Sequence, residues 1–302
     1  MENYKYIKYK TKYINLLNNI NQFGGDKVNI VVLHNPAIFE KPKVPKHLSN
    51  IMKQLSKYGK IYNYFFKFSY CKNKFNLENL EYENAAKDIY DTYEKLNKFI
   101  LISLSHACPY ALYFADIYPK KCISVICYPF RFYSQESYDR RIWKLKNNNG
   151  MVAFVKNEKY NVDDYLLNIT NDKFEELFDN QGDDEKQIIY LVFDLSIQKQ
   201  HYKIPTKFKV PTYLYTRLDL DVSTIIKYNY ERKEIAKMKQ IITKDDALFN
   251  SMQWNFDRIK YDALLKENNN DNKNLKIKYL VSGWEDMQDV VDNVIIIIEK
   301  YK

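Results

Sequence analysis

The chain has 302 residues and a net charge of +9, enough for one large α/β domain with a lid or two small ones, of which the single domain is favoured. No apolar run approaches the ~18 residues of a membrane span and the N-terminus does not resemble a secretory signal, so a soluble protein is expected. With 28 Tyr, abundant Lys and Asn and only 6 Gly, the charge reads as the translation of an AT-rich genome rather than as selection for nucleic acid.

Residues 1–25 stand apart as a Tyr/Lys-rich amphipathic extension closed by Gly24-Gly25, with Tyr6, Ile7, Ile14 and Leu17 among its apolar positions. From residue 26 to 302, apolar runs alternate with helical patterns, which predicts a mostly parallel sheet of about six strands with helices on both faces. The predicted strands are Val28–Leu33, Ile61–Phe68, Phe99–Leu104, Ile123–Cys127, Tyr213–Thr216 and Ile277–Val281. Helices are predicted at Pro45–Tyr58, Tyr82–Asn97, Pro109–Tyr118 and Asp286–Lys300, the last carrying an apolar stripe from Met287 to Ile298. Six lysines and no acid fall within residues 41–60, read as a solvated helix face because no aromatic stacking motif accompanies them.

Two insertions interrupt this scheme. Residues 130–207 mix expected strands at Met151–Val155 and Ile188–Phe193 with a short acidic helix near Phe174–Phe178. Residues 222–274 end in the polar tract NNNDNKN, expected to be an exposed loop. Cys71, Cys108, Cys122 and Cys127 contain no C-x-x-C pair, and three fall in or beside core elements, so buried thiols in a reducing compartment are expected rather than disulfides or zinc.

The stretch with most chemical content is KFILISLSHACPYALYFADIYP, residues 98–119, where an apolar run ends in small-x-Ser-x-small and an amphipathic helix follows at once. A serine on such a turn projects its hydroxyl above the strand, and its neighbours two before and two after must be small for the helix to pack. Ser103 and Ala107 are both small, and Pro109 suits a first helical turn. The backbone N–H of His106 would point where an oxyanion forms.

This stretch resembles the α/β-hydrolase family, with Ser103, Leu104, Ser105, His106, Ala107 and Cys108 at the nucleophile motif. Ala111, Leu112, Phe114, Ala115, Tyr118 and Pro119 then follow where the family reads A-L-x-F-A-x-x-Y-P. Both family glycines are replaced. The resemblance implies an α/β-hydrolase-like fold with residues 130–207 as lid, and Ser105 at the nucleophile position. It also implies a second oxyanion donor after the first strand, where His34-Asn35 stands for the family's His-Gly and Pro36 removes one N–H. The acid would follow Val210-Pro211-Thr212, as Asp219 or Asp221.

At the family's histidine, after the last strand, this chain has Trp284, whose indole has no lone pair to accept a proton. The remaining base candidates are His34, His106 and His201. The sequence therefore favours a degenerate hydrolase, a pseudoenzyme that binds a small molecule or protein partner. An active serine esterase or lipase-like hydrolase with a relocated histidine is the alternative, and a basic nucleic-acid-binding or virion protein a more distant one. No nucleotide-binding or metal-ligand motif is present, so no cofactor or metal is expected. The extension separately resembles N-terminal segments of amoeba-infecting giant-virus proteins, which implies host cytoplasm or the virion.

Overall fold

A computed structural model of the protein describes residues 27–35, 44, 46–67, 77–128, 135–146, 160–180, 182–217, 274–280 and 288–301. Among these residues the strands are β1 (Val28–Leu33), β2 (Gly59–Tyr64), β3 (Phe99–Leu104), β4 (Cys122–Tyr128), β5 (Thr212–Arg217) and β6 (Leu275–Leu280). They form one sheet in the order β2-β1-β3-β4-β5-β6, and every neighbouring pair is parallel. The helices are α1 (Lys46–Leu55), α2 (Tyr82–Thr92), α3 (Cys108–Ile117), α4 (Gln135–Lys146), α5 (Asn171–Asn180), α6 (Asp183–Lys199) and α7 (Gln288–Tyr301).

Side-chain alternation assigns each strand residue to a face. Ile30, Val32, Ile100, Ile102, Leu104 and Ile126 pack with Leu48 and Leu55 of α1 and with Val290, Val291, Val294 and Ile298 of α7. Val31, Leu33, Leu101 and Val125 face the other way, into a core built by α2, α3 and α6. Helices on both faces explain why β3 reads FILISL without a polar alternation, since all six of its residues are buried. Each such aliphatic side chain contributes about 1.5–3 kcal/mol. The β3–β4 register shifts between Phe99 and Ile100, which pair with Cys122 and Ser124. Lys53, Lys57 and Lys60 are exposed at and beyond the end of α1.

The sheet, the three expected crossover helices and the expected C-terminal helix are present, with shifted ends. Strand β2 stops at Tyr64 instead of continuing to Phe68, because its partner β1 ends at Leu33 and only the His34 N–H extends the ladder, donating to the Tyr64 carbonyl at 3.1 Å. Helix α2 stops at Thr92 rather than Asn97. The Thr92 hydroxyl donates back to the Asp88 carbonyl at 2.7 Å, and the Lys121 ammonium takes the carbonyls of Glu94 and Leu96 at 2.6 and 2.8 Å.

One prediction is overturned: Ile188–Phe193 is not a strand but the middle of α6. A short apolar run reads alike as a buried strand or a buried helix. Here Asp183, Asp184 and Glu185 fill the first turn, where carboxylates favour the helix N-terminus, and burial of Ile188, Ile189, Val192, Leu195 and Ile197 covers most of the helix circumference. The acidic helix expected near Phe174–Phe178 is α5. The expected strand Met151–Val155, residues 1–25 and the second insertion up to residue 273 lie outside the described residues. Among the described residues no helix is long and apolar enough to cross a membrane, and Cys108, Cys122 and Cys127 are buried and not joined in disulfides. Burial pushes the Cys122 thiol up to about 12.

The segment between β4 and β5 is fastened to α2 by one buried amide. Gln200 accepts from the Tyr82 N–H at 2.9 Å and donates to the carbonyls of Leu80 and Ser196 at 3.1 and 3.0 Å. The Tyr82 hydroxyl returns a bond to the Ile197 carbonyl at 2.9 Å. Replacing Gln200 with Ala strands the Tyr82 N–H in the core, so we expect a loss of about 2 kcal/mol in urea-denaturation stability.

Candidate functional site

Strand order fixes where a site can form. The chain leaves β1 toward β2 on one side, whereas β4, β5 and β6 are added beyond β3 on the other, so β1 and β3 meet at the topological switch point of the sheet. Loops leaving the carboxyl ends of two such strands diverge and open a crevice. Because Leu33 pairs with Ser103, the residues that follow bring His34 and Asn35 level with Leu104 and Ser105.

At the end of β3 the backbone turns from strand to helix around a single residue. Leu104 is extended, Ser105 has φ of 52°, and a 3₁₀ turn over Ser105–Ala107 leads into α3. Ser105 is the one non-glycine residue with positive φ among those described. Such a conformation costs about 1–3 kcal/mol and persists only where its surroundings over-determine it. Those surroundings are tight: Ser103 and Ala107 are fully buried. The Ser103 hydroxyl donates to the Ile126 carbonyl at 3.2 Å, and the Cys108 thiol donates to the Ser103 carbonyl at 3.5 Å. Ser105 and His106 themselves are half-exposed.

The three candidate histidines have different surroundings. His106 Nδ1 lies 3.4 Å from Ser105 Oγ, and its Nε2 lies 3.6 Å from Asp194 Oδ1 on α6. Gln198, one turn along α6, donates from Nε2 to Asp194 Oδ2 at 2.9 Å. The Phe193 ring sits 5.8 Å from the imidazole, tilted against it.

His34, by contrast, is buried and stacked on Phe65 at 4.5 Å, with Nε2 2.8 Å from Asn63 Oδ1. Since that amide oxygen only accepts, Nε2 carries the proton. Burial outweighs the Asn63 hydrogen bond and holds the imidazole below its ordinary value, so it is neutral. His201 donates from Nδ1 to the Gln198 carbonyl at 3.1 Å and packs edge-on against Tyr202, at the end of its own helix.

Thus Ser105 and His106 are brought together, while His34 and His201 are held elsewhere by bonds of their own. Asn35 is exposed at the mouth of the β1 loop. Asp219, Asp221 and Trp284 lie outside the described residues. No cluster of His, Cys, Asp and Glu able to hold a metal occurs among the described residues. The sequence reading missed Asp194 and Gln198 because it took this run for a strand. Read with helical periodicity, Asp194 and Gln198 are i, i+4 neighbours, a spacing that pairs a carboxylate with an amide on one face.

No protein-family model matches the chain, and no curated protein matches it in sequence. Solved structures do match it. AqDC, described for recognition and ring cleavage of the Pseudomonas quinolone signal and here in complex with its product, is 11% identical, with a TM-score of 0.52 over 92% of this chain and 94% of that one. An α/β-hydrolase enzyme from a Medee basin deep-sea metagenome library is 12% identical, with a TM-score of 0.42 over 93% and 90%. A hydrolase from Oleispira antarctica is 10% identical, with a TM-score of 0.47 over 91% and 92%. The chain has the α/β-hydrolase fold.

The His34 environment generates a pH prediction. The unfolded state takes up a proton near the ordinary value of 6.5 and the folded state only at lower pH, so between the two the unfolded state binds more protons. Stability therefore falls as pH falls through that window, by up to ~1.4 kcal/mol per pH unit for one site. Urea midpoints measured from pH 8 to 5 should show this decline in wild type and a shallower one in His34→Gln.

Proposed function

We propose that this chain is a serine hydrolase acting on small carboxylic esters, with Ser105 as nucleophile and His106 as its base. One observation carries the reading: the serine on the strained turn at the switch point has an imidazole nitrogen 3.4 Å from its hydroxyl. The sequence alone favours an impaired hydrolase because Trp284 stands where the family has its histidine. An imidazole already beside Ser105 supplies the missing lone pair and favours the relocated-base alternative.

In this mechanism His106 Nδ1 takes the proton as Ser105 Oγ bonds to the ester carbonyl carbon, giving a tetrahedral oxyanion. The backbone N–H of His106, and a second N–H from the loop at Asn35, face that oxygen. Collapse breaks the bond to the leaving alkoxide, which receives the proton from Nδ1. Water then attacks the acyl-serine carbonyl, gives a proton to Nδ1, and the proton returns to Ser105 as the carboxylic acid departs. The acyl group passes from the alkoxide to Ser105 Oγ and then to water, each transfer is matched by a proton carried on Nδ1, and no oxidation state changes.

A second reading retains the fold and the crevice without turnover, as a binder of a small molecule or protein partner, and the tryptophan at position 284 favours it. Nitrophenyl acetate hydrolysis separates the two. We expect wild type to exceed both Ser105→Ala and His106→Ala by 10²-fold or more, the usual worth of a positioned base. Wild-type turnover equal to that of Ser105→Ala would leave the binder as the correct account.

A further inference from the structure

We infer that Asp194, carried on α6 in the segment between β4 and β5, is the positioning residue for His106; the inference rests on the hydrolase reading and deepens it. A neutral imidazole has one donor and one acceptor. For Nδ1 to accept the Ser105 proton, the ring proton must sit on Nε2, the nitrogen that faces Asp194 Oδ1 at 3.6 Å. The carboxylate selects that tautomer and then stabilises the imidazolium formed when Nδ1 takes up the serine proton. Both separations, 3.4 Å to Ser105 and 3.6 Å to Asp194, are at or just beyond hydrogen-bond length, as catalytic contacts are before substrate tightens them.

Asp194 is equipped for this task. Its side chain is 14% exposed against 37% for His106, and its second oxygen is held by Gln198, itself buried. Helix α6 is fixed in turn by the Gln200 bonds to Leu80 and Tyr82. The positioning acid thus comes from before β5, whereas the family resemblance seeks it after β5 at Asp219 or Asp221. The consequence is a link between the inserted segment and the chemistry: fastening α6 to the start of α2 is what orients the base.

The test pairs kinetics with a spectroscopic readout that does not require turnover. Asp194→Asn keeps the size of the side chain and an oxygen for the Gln198 amide. We expect kcat for nitrophenyl acetate to fall 10- to 100-fold with KM within twofold, and Asp194→Glu to recover part of the loss. In parallel, ring ¹⁵N shifts of histidine-labelled protein, assigned by the signals missing in His106→Asn, should show His106 protonated at Nε2 in wild type and as a tautomer mixture in Asp194→Asn. An unchanged kcat in Asp194→Asn, or a wild-type His106 protonated at Nδ1, would overturn the inference. If wild type shows no Ser105-dependent turnover, the hydrolase reading fails by itself, and the tautomer comparison still decides whether Asp194 orients His106. Should Asp194→Asn not fold, the wild-type tautomer decides.

Discussion

The left-handed backbone at Ser105 is the constraint around which the rest of the molecule is organised. Where β3 turns into the helix, Ser105 takes a φ of 52°, at a cost of about 1–3 kcal/mol. Strand β3 outweighs this cost, because Phe99, Ile100, Leu101, Ile102 and Leu104 are all buried and each contributes about 1.5–3 kcal/mol. The close packing of α3 then requires small residues at 103 and 107, and Ser103 turns its hydroxyl to the Ile126 carbonyl rather than toward the crevice. Position in the sheet does the remainder, since β3 lies beside β1 at the point where strand order reverses.

A second layer of the structure serves the same turn. The segment between β4 and β5 buries α6 against α5 and the sheet-flanking helices, and Gln200 joins its end to the start of α2. Lys203 reaches Glu81 and Glu83 at 2.9 and 2.8 Å across the same seam. Both carboxylates are half-exposed, so these pairs add little beside the buried amide. The seam holds α6 where Asp194 comes within reach of His106. Helix α6 therefore contributes to the core and carries Asp194 beside His106.

Much of this was legible in the sequence where a residue's local role and its tertiary role agree. β1 and β3 fall at the predicted residues because uninterrupted apolar runs suit strands covered on both faces. The turn at Ser105 was legible from Ser103, Ala107 and Pro109, whose sizes and ring constraint have few other uses in that spacing. Helix α6 was not legible, because IIYLVF satisfies a buried strand as well as a buried helix, and the acidic run that favours the helix lies before it. Asp194 and Gln198 were lost with it, as their i, i+4 relation exists only on a helix. The three histidines stand out in the sequence only as candidates, and their division depends on Asn63, Phe65 and Asp194, none of them a sequence neighbour of the ring it touches.

The central claim, that Ser105 is the nucleophile of this fold, is tested most directly by the site of covalent modification. Full-length protein treated with a fluorophosphonate and digested should carry the adduct on the peptide containing Ser105, in one equivalent, and lose it in His106→Ala. An unmodified protein, or an adduct on any other residue, would contradict the account.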